Sequence, residues 1–178
     1  MKRIWFVSAA WCFAFLAGCG GGGGGDDAIC QSIVSSSGSG AVNSRSTGLT
    51  VDNEGLAFDG DLGSAAQMYS ITGSGNAVFE ATGRTANGGF AGVLLKLPAG
   101  QVTQVSVTAL QDGNVAASGT AGTDSNNSQV CPGRCQRKDG FTFFGIPVSG
   151  AFDTIQASIQ ISGTTEDTLV YELCTQGS

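Results

Sequence analysis

From Ala28 onward the chain alternates apolar and polar side chains with a period of two, and nowhere repeats them convincingly at helical spacing. Residues 153–162 are the clearest case. Ile155, Ala157, Ile159 and Ile161 fall on one side of an extended chain, and Gln156, Ser158 and Gln160 fall on the other. A period of two describes a strand with one buried and one wet face, because successive side chains of a strand point in opposite directions. Residues 104–110 repeat it, with Val105, Val107 and Ala109 opposite Gln104, Ser106 and Thr108. Residues 90–97 are more continuously apolar and run into Pro98-Ala99-Gly100, which predicts a central strand closed by a turn. Further strands are predicted over 29–34, 49–51, 67–71, 77–81, 115–118, 141–146 and 168–174. About ten short strands separated by Gly, Asn, Asp and Ser predict an all-β fold, an antiparallel β-sandwich or jelly roll. No repeat long enough for a solenoid or propeller is visible, so residues 28–178 are read as one domain.

The first eighteen residues are set apart from that domain. Met1-Lys2-Arg3 is basic, and residues 4–16 (IWFVSAAWCFAFL) form a nearly unbroken apolar run. The run is too short to span a bilayer, which takes about 20 residues, and it has the layout of a secretory signal peptide. It ends in Leu16-Ala17-Gly18-Cys19, which resembles the lipobox of bacterial lipoproteins. That resemblance implies cleavage before Cys19, lipidation of its sulfur and acylation of its amino group. Together these would anchor the protein stably in a membrane. In that family an Asp after the lipidated Cys favours the inner membrane; Gly20 stands there instead, which implies the outer membrane. Gly20 to Gly25, followed by Asp26 and Asp27, then reads as a tether, so that residues 19–27 link anchor and domain. A coil of that glycine content spans roughly 13 Å. The run is no phosphate loop, since no G-K-[ST] follows it.

Composition excludes several functions. The chain has no His, which removes Ser-His-Asp and Cys-His catalysis and His-ligated metals. Fourteen acidic residues face 8 basic ones, a net charge of -6 that argues against nucleic acid as a partner. Cleavage before Cys19 would remove Lys2 and Arg3 and take the charge to -8, from 14 acidic and 6 basic residues. It would also remove Trp5 and Trp11, leaving no Trp to stack against a sugar ring.

Beyond Cys12 in the signal and Cys19 at the lipobox, four cysteines remain. An oxidising compartment predicts that they pair. The favoured pairing is Cys131 with Cys135 across a Pro132-Gly133 turn, and Cys30 with Cys174, tying the first strand to the last. Two solitary cysteines do not suit a four-thiolate zinc site, and three residues between Cys131 and Cys135 do not make a redox C-x-x-C.

Candidate chemistry is sparse. Asp52 with Glu54, and Asp59 with Asp61, sit two apart, so on a strand each pair would share a face about 6.6–6.8 Å apart. Glycoside hydrolysis uses carboxyls roughly 5–9.5 Å apart, but Asp-Gly-Asp is also ordinary turn composition. The same four residues are the weak candidates for metal; they could offer oxygen ligands to a structural calcium ion, although no EF-hand pattern is present. Arg134, Arg137 and Lys138 form a basic cluster that could meet an anionic glycan or phosphate. No catalytic residue is assigned, and no cofactor beyond that calcium is expected.

Phe143-Phe144-Gly145-Ile146, followed by Phe152-Asp153-Thr154-Ile155, resembles the last hairpin of secreted bacterial galactose-binding-like β-sandwiches, over about a tenth of the chain. That resemblance implies a sandwich that presents loops for recognition. The expectation is a lipid-anchored, non-enzymatic envelope protein that recognises a glycan or surface polymer. The alternatives are an envelope structural or protein-interaction lipoprotein and a carboxylate-dependent glycan hydrolase.

Overall fold

The computed structural model describes residues 30–34, 38–123, 129–130, 134–138 and 140–177, with side chains for all of these except 123, 129–130 and 134–138. Eleven strands are formed: β1 (Gln31–Ser32), β2 (Ser39–Arg45), β3 (Leu49–Asp52), β4 (Ala66–Ser70), β5 (Ser74–Lys96), β6 (Val102–Gln111), β7 (Asn114–Thr123), β8 (Gln129–Val130), β9 (Arg134–Lys138), β10 (Phe141–Ser162) and β11 (Thr168–Gln176). All pair antiparallel. The only helical element among the described residues is a 3-10 turn over Glu54–Ala57.

The expectation of short strands needs correction for two of them, because β5 has 23 residues and β10 has 22. They pair with each other almost end to end, from Thr142 opposite Leu95 to Ser162 opposite Ser74. Register shifts fall between Val148 and Ala151 and between Phe152 and Thr154. Opposite them in β5, Gly88 and Gly89 have φ of 77° and 95°, a backbone that side chains strongly disfavour. Bulges and glycines of this kind bend a strand, so one ladder can serve two layers.

The first half of β5 lies between β2 and the second half of β10, and β6, β7 and β8 extend that layer. The second half of β5 lies between β11 and the first half of β10; beyond them lie β4, β3 and β9, with β1 beside β11. The layers meet where small residues allow close approach. A side chain at Gly119 of β7 would run into Ile146 of the other layer, and one at Gly75 of β5 into Leu49.

One apolar core fills the space between them. Phe79, Val105, Val107, Ile155, Ile159 and Ile161 come from the first layer, and Met68, Val93, Leu95, Phe144, Val170 and Leu173 from the second, all buried. Each such side chain contributes about 1.5–3 kcal/mol of burial, so a one-residue slip of β10 would forfeit the whole inward row. A smaller cluster of Cys30, Leu94, Phe143, Tyr171 and Cys174 packs separately. Cys30 and Cys174 are disulfide-bonded, as the sequence predicts. Cys131, and the side chain of Cys135, lie outside the described residues. β6 and β7 turn at Asp112-Gly113, both at positive φ, the two-residue turn that suits the twist of a hairpin.

Candidate functional site

The acidic stretch singled out in the sequence forms one connected feature. β3 ends at Asp52, the 3-10 turn follows, and residues 58–65 lead into β4. Ala57 and Phe58 are buried, and the Phe58 ring packs against that of Phe79 with centroids 6.1 Å apart. This apolar root holds the loop to the core while its carboxylates stay outside.

Those carboxylates do not converge. Glu54 pairs with Arg45 of β2 at 2.7 Å, and Asp52 accepts a long hydrogen bond, 3.4 Å, from the Tyr69 hydroxyl. Asp59 accepts from the Asp61 backbone N–H at 2.9 Å and from the Ser64 hydroxyl at 2.7 Å, while Asp61 accepts from the Gly63 N–H at 2.8 Å. These are the local bonds by which Asp shapes a turn. Among the described residues no group of three or more Cys, Asp or Glu side chains is placed to hold a metal ion.

The group that the sequence did not single out is Glu172 of β11, wholly buried. Its carboxyl accepts from the Ser32 hydroxyl at 2.9 Å and from the Gly60 backbone N–H at 2.9 Å. It therefore joins the first strand, the acidic loop and the last strand at one point. Burial pushes its pKa up from 4.5 to about 7; the bonds from Ser32 and Gly60 oppose that rise, and the nearby charge of Asp59 adds to it. Near neutral pH such a carboxyl gains and loses a proton readily, but both oxygens already face protein donors and no surface is open to a substrate. The geometry makes it a titratable joint.

Arg134, Arg137 and Lys138 lie in β9, opposite Gly145, Thr142 and Phe141 of β10; their side chains lie outside the described residues. Cys19 and the lipobox likewise fall outside the described residues.

No protein-family model matches the sequence, and the comparison with curated proteins finds no match. Several solved structures are loosely similar. The CBM32 module of AlyQ, in complex with 4,5-unsaturated mannuronic acid, is 10% identical with a TM-score of 0.43, covering 78% of this chain and 97% of that one. TmCBM61, in complex with β-1,4-galactotriose, is 11% identical with a TM-score of 0.38, covering 82% and 92%. CpGH89 of Clostridium perfringens, in complex with GlcNAc-α-1,4-galactose, is 16% identical with a TM-score of 0.45; the match covers 83% of this chain and 15% of that one. At these identities and scores no ligand and no residue role passes from them to this chain.

Proposed function

We propose that this protein is a lipid-anchored recognition module of the bacterial cell envelope, non-enzymatic, that binds a glycan or surface polymer. The anchor reading rests on Leu16-Ala17-Gly18-Cys19 directly behind the apolar run 4–16, with Gly20–Gly25 as its tether. The observation that carries the recognition reading is how the carboxylates are used. Asp59 and Asp61 shape their own loop, Glu54 is held by Arg45, and Glu172 is sealed between three segments. A carboxylate-dependent hydrolase needs two carboxyls free to face one glycosidic bond. What this body offers is a rigid frame with polar surface.

Two measurements test it. Mass spectrometry of the protein from cells should find a diacylglyceryl group on Cys19 and an acylated amino terminus. A glycan-array and polysaccharide pull-down screen should yield a bound polymer that is recovered chemically unchanged. An unmodified amino terminus overturns the anchor, and an empty screen overturns the recognition role.

A further inference from the structure

We infer that the outer face of the layer built from β5, β10, β6 and β7 is the recognition surface, and that it takes an extended, uncharged polysaccharide. This rests on the recognition reading above and names its site and its class of ligand.

The face is set by register. Gln104, Ser106 and Thr108 of β6 lie directly opposite Gln160, Ser158 and Gln156 of β10. On one flank β5 places Asn76 beside Gln160 and Glu80 beside Gln156; on the other, β7 places Thr120 beside Ser106 and Ser118 beside Thr108. Their chain neighbours Phe79, Val105, Val107 and Ile159 are wholly buried, so period two puts the polar set on the opposite surface. Gln104, Ser106, Ser118 and Gln160 are exposed there. Strands about 4.8 Å apart and alternate residues about 6.8 Å apart make this a grid roughly 14 Å on a side, built mainly of amides and hydroxyls, with the half-buried Val78 of β5 opposite Ser158.

Three properties of the grid choose its partner. It is almost free of charge: on a chain of net charge -6, Glu80 is its one ionisable group, and the Gln156 amide donates to it at 3.0 Å. A neutral face favours a neutral ligand, because an ionic polymer would lose water without gaining a counter-charge. Trp, Tyr, Met and Arg, the residues that dominate protein–protein hot spots, are absent from it, which disfavours a protein partner. It is also held in place before any ligand arrives. The Ser158 hydroxyl donates to the Asn76 side chain at 2.9 Å, and the Ser106 and Thr120 hydroxyls are 3.3 Å apart. Side chains already tied across strands lose little freedom on binding. A polyol chain lying flat can give and accept hydrogen bonds at many of these points. This face carries no aromatic ring to stack on a sugar, so affinity must come from the number of such bonds, and an extended polymer supplies more of them than a single sugar.

The test uses the full chain purified in detergent, with cellulose, chitin, a soluble neutral glucan and a galactan as probes, and alginate and heparin as anionic ones. Two variants alter the face. Gln104→Ala/Gln156→Ala/Gln160→Ala removes amides, and Ser106→Arg/Ser158→Arg raises two long side chains out of the plane. Asp59→Asn/Asp61→Asn alters the acidic loop instead. The expected result is retention on at least one neutral polymer, weakened at least tenfold by either face variant and unchanged by the loop variant. Melting curves establish that each variant is folded; should the triple variant fail to fold, the arginine pair, which leaves the amides in place, decides. Full binding by a folded face variant, or loss of binding in the loop variant alone, overturns the face while leaving the recognition role standing. Retention on alginate or heparin only overturns the ligand class. No retention on any polymer overturns the inference and the recognition role together.

Discussion

A carboxyl group with no exposed surface favours its neutral form, and Glu172 is so placed despite two donors aimed at it. The folded protein therefore binds this proton more tightly than the unfolded chain does. Between the ordinary value of 4.5 and about 7 the folded state carries the extra proton, so stability is greatest below that window and falls as pH rises through it. The loss amounts to roughly 2–3 kcal/mol between pH 5 and 8. Urea denaturation across that range should show it. Glu172→Gln keeps the shape and an acceptor for the Gly60 N–H, so its stability should be nearly flat over the same range and higher than wild type at pH 8. A parallel fall in both proteins would place the titration elsewhere. The sequence hides this residue for a local reason. In Leu169-Val170-Tyr171-Glu172-Leu173-Cys174 a bulge lies between Val170 and Glu172, so Val170 and Leu173 both reach the main core and simple alternation fails. Asp59 and Asp61 were legible as turn formers because their bonds run to residues two to five positions away.

At the scale of the element, the long ladder of β5 and β10 depends on its bends. Gly89 combines a φ of 95° with a position where a side chain would press on the Gln176 carbonyl. Gly89→Ala should cost about 2 kcal/mol or more, from the strained backbone and the contact together. Gly113 has a similar φ of 78° with open space around it, so Gly113→Ala should cost only about 1 kcal/mol. Equal losses in chemical denaturation would show that the contact at Gln176 carries no weight. Gly119→Val tests the seam between the layers: it pushes a side chain onto Ile146 and should destabilise by about 1–3 kcal/mol. Both halves of β5 and of β10 were legible from their apolar rows. Their continuity was not, because residues 83–89 and 149–150 have the glycine-rich composition of a loop while the backbone runs on as strand. β2 carried no signal of its own. It is an exposed edge strand without an apolar row, and it becomes a strand only because β5 offers it a partner.

At the scale of the molecule, the described fold is closed by a covalent bond from Cys30, next to β1, to Cys174 of β11. β1 is two residues long and pairs with β11 only through Gln31 with Thr175 and Ser32 with Cys174. Pairing of that length holds little on its own. The Cys30–Cys174 disulfide joins residues 144 apart, and the chain-entropy model gives such a closure about 5 kcal/mol. Its position matters as much as its magnitude. On the anchor proposed above, a pull on the chain ahead of Cys30 would pass through the disulfide into β11, which pairs with β5 along most of its length. Without the bond the same pull would act on two backbone pairings, the hydrogen bond from the Ile33 N–H to the Leu173 carbonyl and the Ser32–Glu172 hydrogen bond. Cys30→Ser/Cys174→Ser should therefore lower global stability by several kcal/mol and do something further. Amide exchange at Ile33, whose N–H donates to the Leu173 carbonyl, should accelerate well beyond the global change, and more so above pH 7, where Glu172 ionises. Uniform acceleration across β1, β6 and β10 in that variant would mean that the disulfide stabilises the fold as a whole and gives β1 no special protection.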